Sequence, residues 1–388
     1  MKLSLFAYGF RPNFLAAGVA ALLLVPLWAL SFSFGLPIGH RWPPTLWHGH
    51  EMLFGFVAAA IAGFLLTAVP SWTGQRGFAG LPLAGLTLLW LSARVAVYLP
   101  GVPAPLLAVI DVAFFPAVAL LIAPPLMRSA NRNTPLLLVL AALGACNGAF
   151  HWAAAHGNAP QAQLALTTTI NVALVLATVI GGRIVPAFTN AALGARGIGA
   201  GRPASRALDL ATIAAMAAVA VVDVPWPATR AAAVIALAAA ILHAVRFTRW
   251  RTLSTWRDPI VWVLHVGYAW IPVGLALKAI ALLTGSAFSA FWLHALTVGA
   301  LTTLILAVMT RASLGHTGRA LRAGPATVAA YLLLTAAACL RVFGLAVVGG
   351  SYPAIVLAAA LLWTSAFILF LGSYGPVLVG PRVDGRPG

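Results

Sequence analysis

Long apolar runs alternate with short polar segments along almost the whole chain. A membrane-spanning helix needs about 20 mostly apolar residues, each adding about 1.5 Å of length. Twelve runs meet this requirement, and together they predict an all-α, polytopic protein that forms a single transmembrane domain over residues 1–388. The runs lie near residues 14–33, 47–69, 81–99, 104–127, 135–156, 163–182, 207–223, 230–246, 259–283, 288–310, 324–348 and 353–378.

The composition supports a membrane environment. Of the 388 residues, 62% are hydrophobic and only 7% are charged, which is far too apolar for a soluble domain. The net charge of +17 suggests nucleic-acid binding at first sight. The arginines, however, lie in short loops between apolar runs, so the lipid bilayer is the predicted partner and nucleic acid is not. The two cysteines, Cys146 and Cys339, lie in separate predicted helices, so a metal site must rely on histidine.

The distribution of basic residues predicts the orientation of the spans. With the N-terminus in the cytoplasm, eighteen of the 23 Lys and Arg residues fall on the cytoplasmic side, and only Arg41 and Arg230 fall on the other. Cytoplasmic loops are normally rich in basic residues, so both termini are predicted to be cytoplasmic. The positions of Pro70, Pro186 and Thr310, near the inner ends of spans two, six and ten, further suggest three four-helix arcs.

Ionisable side chains inside the spans cluster at one depth. Arg94, Lys278 and Arg341, together with Asp111, fall in the outer halves of their predicted helices. Charged residues at such depth usually have a partner or a function. The three basic residues are candidates for three roles: neutralising acids such as Asp111 and Glu51, binding an anionic substrate, or pairing with the propionates of a haem.

A histidine-rich segment opens span two. Residues two apart on an α-helix point in nearly opposite directions, so His48 and His50 are predicted to serve two neighbouring sites rather than one metal ion. The alternative is that both simply lie at the water interface. Glu51 is predicted to share the face of His48, where it is a candidate for proton delivery.

Three further histidines lie at membrane depth. His151 and His294 are predicted as metal or haem ligands, with a hydrogen-bonded core histidine as the alternative, because an unpaired imidazole in lipid is costly. His265 is placed near the inner leaflet, where Tyr268 on the same helix face predicts a hydrogen-bonded pair. A second cofactor site there, with His243 at a similar depth, and a purely structural role both remain open.

Two segments on the cytoplasmic side combine glycine with arginine. Gly181–Asn190 and Arg311–Arg319 both follow inward-running spans and are predicted to cap helix C-termini. No chemistry is assigned to either segment.

Several motifs, in the same order along nearly the whole chain, resemble the NnrS family. They are GFRP (9–12), WHGHEMLFGF (47–56), IAGFLLTAVPSWTG (61–74), GGRIVPAFTN (181–190), LHVGYAW (264–270), LHALTVGA (293–300) and MTRASLGHTGR (309–319). The resemblance implies a bacterial inner-membrane protein of twelve helices that contains haem and copper. It also implies a link to denitrification and to resistance against nitric oxide.

The leading hypothesis is a nitric oxide reductase-type protein with its metal site in the outer leaflet. The proposed metal ligands are His48, His50, His151 and His294. Glu51 would deliver protons, and His265 would hold a second haem that accepts electrons from a quinol or another donor. The chain has no Cys-x-x-Cys-His motif, which favours b-type over c-type haem.

Two other functions remain open. One is a non-enzymatic haem protein that senses or sequesters nitric oxide, or that handles metal. The other is a secondary transporter, whose substrate site would be formed by the charged residues Arg94, Asp111, Lys278 and Arg341.

Overall fold

A computed structural model describes residues 4–38, 41–199, 201 and 205–386. All regular secondary structure in these residues is helical. The α-helices are α1 (Phe10–Phe34), α2 (Pro44–His50), α3 (Ala58–Thr73), α4 (Leu81–Ala96), α5 (Ala104–Val112), α6 (Phe114–Arg128), α7 (Leu136–Ala155), α8 (Ala159–Gly194), α9 (Arg206–Val222), α10 (Arg230–Phe247), α11 (Pro259–Thr284), α12 (Trp292–His294), α13 (Thr303–His316), α14 (Pro325–Val347) and α15 (Tyr352–Val379). Two π-helices, Glu51–Val57 and Ala295–Thr302, continue α2 and α12.

Most of the helices suit a multi-pass membrane protein. In the described part of the chain, ten helical stretches are long and apolar enough to cross a membrane. The predicted spans 81–99 and 207–223 correspond to shorter helices, α4 with 16 residues and α9 with 17. At about 1.5 Å per residue, each is a few ångströms shorter than a typical hydrocarbon core of about 30 Å. The twelve-span count therefore stays a prediction.

The chain divides into two compact units. Unit 1 comprises Met1–Thr169, Met309–Leu321 and Phe367–Gly388, and unit 2 comprises Ile170–Val308 and Arg322–Ala366. In unit 1, α1 packs on α3, α3 packs on α6, and α6 packs on α7. In unit 2, α10 lies between α9 and α11, and α11 packs against the π-helix Ala295–Thr302.

A buried arginine joins the two ends of the chain in unit 1. Arg11, in the first turn of α1, is fully buried. Its guanidinium donates hydrogen bonds to the carbonyls of Val377, Leu378 and Gly380, at 3.2, 3.0 and 2.6 Å. The last carbonyls of a helix have no partners within that helix, so Arg11 caps the C-terminus of α15. This contact gives the GFRP motif a structural role.

One predicted helix end is wrong. Gly181–Asn190 does not cap a helix, because α8 continues through this segment and through Pro186 to Gly194. Its glycines have a packing role instead. A Cβ atom added to Gly182 would overlap the guanidinium of Arg246, so glycine at this position makes room for the Arg246 side chain of α10 to cross the helix.

Candidate metal centre

Three helical segments of unit 1 bring polar side chains to one buried point. His50 is the last residue of α2, Asp111 lies in the last turn of α5, and Asn147 and His151 lie one turn apart on α7. Pro44 at the start of α2 suits the first turn of a helix, because its fixed φ and missing N–H cost nothing there. His50 and Asp111 are 0% and 3% exposed, and His151 is 7% exposed.

Asp111 is the centre of this group. Its Oδ2 atom lies 3.0 Å from His50 Nε2 and 2.9 Å from His151 Nε2, and it accepts a hydrogen bond of 3.1 Å from the Asn147 amide. Its Oδ1 atom accepts a hydrogen bond from Arg94. One carboxylate thus holds both histidines in place, and their Nε2 atoms face the same oxygen.

Glu51 forms a second carboxylate layer behind His50. Its Oε1 atom lies 3.0 Å from His50 Nδ1 and accepts a 2.9 Å hydrogen bond from Arg94. A carboxylate behind the second ring nitrogen is the usual partner of a metal-binding histidine, because it fixes the tautomer and the orientation of the ring. The Glu51 Oε2 atom is buried and has no hydrogen-bond partner among the described residues.

The charges of this group favour a bound cation. Glu51 and Asp111 carry two negative charges, and Arg94 supplies one positive charge, so the group has a net charge of −1 when both histidines are neutral. A buried net charge is unfavourable unless it is compensated. A bound proton or metal ion would provide the missing positive charge.

The donor set suits a transition metal. One ligand atom each from His50, Asp111 and His151 can be chosen so that all three lie within 4.8 Å of one another. Imidazole nitrogen binds copper, zinc, iron and nickel, and three protein ligands leave a position open for an exogenous ligand. Two ligand atoms that each lie about 2 Å from one metal ion are about 3 Å apart. The distances of 3.0 and 2.9 Å from Asp111 Oδ2 to the two Nε2 atoms are already of that size. These residues therefore fit a metal ion such as copper.

Aromatic rings enclose the group. The Trp42 ring centroid lies 4.7 Å from that of His50 and 5.5 Å from that of His151. The rings of Phe54 and Phe150 lie 4.9 and 4.5 Å from His50. Such apolar walls exclude water and strengthen electrostatic interactions within the group.

His48 and His50 have different neighbours, in agreement with their spacing. The His48 ring stacks on Trp28 of α1 at 4.4 Å, while His50 faces Asp111. Glu51 differs from the prediction, because it contacts His50 rather than His48. Adjacent side chains on a helix point about 100° apart, and from that position the Glu51 carboxylate reaches Nδ1 of the His50 ring.

A π-helix also follows His294 in unit 2. His294 is half-buried and immediately precedes the π-helix Ala295–Thr302, just as His50 precedes Glu51–Val57. The π-helix is rare and often marks a functional site. Hydropathy gives no sign of a π-helix, so this feature shared by His50 and His294 could not be predicted from the sequence.

The predicted Tyr268–His265 pair is wrong. The Tyr268 hydroxyl instead lies 2.9 Å from His243 Nδ1 and accepts a 3.3 Å hydrogen bond from Arg246. His265 Nε2 and Nδ1 lie 2.7 Å from the Thr189 hydroxyl and 3.0 Å from the Thr252 hydroxyl. The shared helix face alone does not pair Tyr268 with His265, because side chains from other segments supply the hydrogen-bond partners of both.

The three basic residues inside the spans have different partners. Arg94 neutralises Glu51 and Asp111, the first of its predicted roles. Lys278 is 1% exposed and pairs with Asp223, which also accepts a 2.8 Å hydrogen bond from Asn171. Arg341 bonds to a tyrosine. Asp223 was not predicted as a partner of Lys278, although it is one of only six acidic residues and lies at the end of a predicted span.

The fold and this site define a class: an all-helical, multi-pass membrane protein with a buried His–Asp–His group. Comparison with protein families then shows to which family within this class the chain belongs. The family model described as NnrS protein matches residues 4–382, so the chain belongs to the NnrS family. The resemblance seen in the motifs is thereby confirmed. A search of curated proteins finds no match.

Proposed function

We propose that this protein binds nitric oxide at a copper ion held by His50, Asp111 and His151, and that it removes nitric oxide by reduction. The observation that carries the proposal is the convergence of these three buried ligand groups. Family membership adds the expectation of a haem- and metal-containing membrane protein linked to nitric oxide. A metal ion held there would supply a binding position for nitric oxide and would transfer electrons to it.

The protein side chains would bind the metal ion, exclude water from it and deliver protons to the reaction. His50 and His151 would donate nitrogen ligands, and Glu51 would orient His50 through its 3.0 Å contact. Reduction of two nitric oxide molecules to nitrous oxide and water consumes two electrons and two protons. The buried Oε2 atom of Glu51 is the acceptor that would carry these protons, since Oε1 is already engaged by His50 and Arg94.

The topology, the membrane, the electron donor and the haem ligands that we propose rest on the sequence. Helices α4 and α9 would also cross the bilayer, giving twelve spans in three arcs with both termini in the cytoplasm. The membrane would be the bacterial inner membrane, and a quinol or another donor would supply electrons. The b-type haem would use His48, His294 or His265 as its ligand. Tyr268, three residues after His265, would lie at the cofactor site of that histidine.

One observation favours a second candidate, nitric oxide binding without turnover. Both ring nitrogens of His265 lie at hydrogen-bond distance from threonine hydroxyls, so this histidine is poorly placed to hold the electron-accepting haem. A single three-ligand metal centre is sufficient for sensing or sequestration. Measurement of nitrous oxide under anaerobic conditions with an excess of reductant separates the two candidates.

Metal analysis of purified variants tests the proposal. We expect His50→Gln and His151→Gln to lose most of the bound copper and the nitric oxide-dependent spectral change. His156→Gln is the matched control, because this exposed histidine lies just beyond α7 and its Nδ1 atom lies 2.8 Å from the Trp152 carbonyl of the same helix. Full copper content in both site variants would refute the assignment.

A further inference from the structure

Arg341 differs from the other basic residues inside the predicted spans. Arg94 contacts two carboxylates, and Lys278 contacts that of Asp223. Arg341 is only 8% exposed, yet it forms no ion pair with any carboxylate in the part of the chain that the structure describes. A buried cation without a counter-ion is costly, which indicates that something outside this set of residues compensates it.

The immediate surroundings of Arg341 are aromatic. Its Nη2 atom donates a 2.7 Å hydrogen bond to the Tyr352 hydroxyl. Its Cζ atom lies 4.8 Å from the ring centroid of Phe291 and 5.3 Å from that of Tyr352, and these two rings stack at 5.6 Å. Cation–π contacts stabilise a guanidinium, but they do not neutralise its charge.

One nitrogen of Arg341 is available to donate a further hydrogen bond. The Nη1 atom is buried and has no hydrogen-bond partner among the described residues. A guanidinium held on one side by a tyrosine, with Nη1 left over, presents the geometry that binds one oxygen of a carboxylate or phosphate. The donor, the charge and the burial thus all point to an anion.

We propose that Arg341 anchors an oxyanion site in unit 2, occupied by the acidic group of a membrane-embedded amphiphile. Arg341 lies six residues before Val347, the end of α14, and therefore about 9 Å inside that end. Lys278 lies six residues before Thr284, the end of α11. This depth, beside two aromatic rings, suits an amphiphile better than a small soluble anion.

Two sources offer this chemistry, a haem propionate and the phosphate of an anionic lipid. His294 favours the haem, because its ring lies 6.4 Å from that of Phe291, the ring that Arg341 covers. Arg341, rather than Arg94 or Lys278, is then the propionate partner, since those two residues already have carboxylates. The haem source rests on the proposed function, whereas the lipid source does not.

The test uses the full-length protein in detergent with three variants of this residue. Arg341→Gln removes the charge, Arg341→Lys keeps it, and Arg341→Met replaces it with an apolar chain. The matched control is Arg196→Gln, because Arg196 is a half-exposed arginine with its own partner, Asp258. Haem content is measured by pyridine haemochrome, and thermal unfolding is measured in micelles with phosphatidylglycerol or with neutral phosphatidylcholine.

If haem is the ligand, we expect Arg341→Gln and Arg341→Met to lose haem about tenfold faster than the wild type, while Arg341→Lys retains most of it. If lipid is the ligand, haem is unchanged, and phosphatidylglycerol stabilises the wild type and Arg341→Lys but not the other two variants. A wild type without haem would refute the haem part of the proposed function, and the lipid measurement would still decide the role of Arg341.

The inference is overturned if neither haem retention nor the phosphatidylglycerol response differs between Arg341→Met and the wild type. In that case Arg341→Met should also be as stable as the wild type or more stable, because replacing an uncompensated buried charge with an apolar side chain removes its desolvation cost.

Discussion

At the scale of single residues, buried charge controls the chemistry of unit 1. Asp111 and Glu51 would repel each other without Arg94, which contacts both. Because Arg94 balances only one of the two carboxylate charges, the group lacks one positive charge. The two histidines face Asp111. Arg94 therefore both stabilises the carboxylates and limits the charge of the ion that they can accept.

Loss of Arg94 should be strongly destabilising. Arg94→Gln leaves two buried carboxylates without their partner, and we expect a cost of about 3–5 kcal/mol, measured by thermal unfolding in detergent. Adding Glu51→Gln should recover part of this loss. The exposed Arg76→Gln is the control and should change stability by no more than about 0.5 kcal/mol. Simple additivity of Arg94→Gln and Glu51→Gln would contradict the shared network.

The Asp223–Lys278 pair of unit 2 makes a separate prediction. Both side chains are buried, so Lys278→Met alone should destabilise by about 3–5 kcal/mol because Asp223 loses its counter-ion. The double variant Asp223→Leu/Lys278→Met should regain most of that stability. Unfolding of the single and double variants is compared with the wild type. A double variant no more stable than Lys278→Met would show that the pair does more than compensate charge.

The sequence predicts some of these residue contacts and misses others. The depth of Arg94, Asp111 and Glu51 is enough to suggest their pairing, because few acids lie at that level. The choice of His151 and His50 as partners of Asp111 depends on how α2, α5 and α7 pack. No spacing within one helix encodes that packing.

At the scale of helices, hydropathy predicts the elements well and their irregularities poorly. Most apolar runs form helices close to the predicted positions, because satisfying the backbone in lipid leaves few alternatives to a helix. The two π-helices leave no trace in the apolar pattern. The continuation of α8 through Gly181–Asn190 was also missed, since glycine and proline normally indicate a helix end.

Gly182 tests the packing of α8 against α10. In Gly182→Ala the new Cβ would overlap Arg246, whose Nε and Nη1 atoms contact Asp209 at 2.7 Å and the Thr178 carbonyl at 2.9 Å. We expect a loss of about 1–3 kcal/mol in thermal unfolding, because Arg246 must give up these contacts. Gly148→Ala is the control, because nothing lies within 4 Å of its added Cβ. Equal stability of both variants would contradict the crossing.

At the scale of the whole molecule, the topology depends on the two short helices α4 and α9. If α4 crosses the bilayer, the loop at Gly101 lies on the side of the membrane opposite the N-terminus; if it does not, all later loops change sides. Snorkelling side chains and local thinning of the bilayer let a helix of 16 residues cross at modest cost. The basic-residue distribution favours crossing.

Cysteine labelling tests this topology. In a variant with Cys146 and Cys339 replaced by alanine, we expect Gly101→Cys and Val224→Cys to react with a membrane-impermeant maleimide in intact cells. Gln75→Cys, on the predicted cytoplasmic side, should react only after the cells are lysed. Protection of both Gly101→Cys and Val224→Cys in intact cells would contradict the twelve-span arrangement.

X-ray absorption of the purified protein would show whether His50, Asp111 and His151 hold a metal ion. We predict a copper edge and a first shell of nitrogen and oxygen atoms at about 2 Å, with outer scattering from two imidazole rings that weakens in His151→Gln. An absence of bound metal, or a copper shell unchanged in both His50→Gln and His151→Gln, would contradict the account.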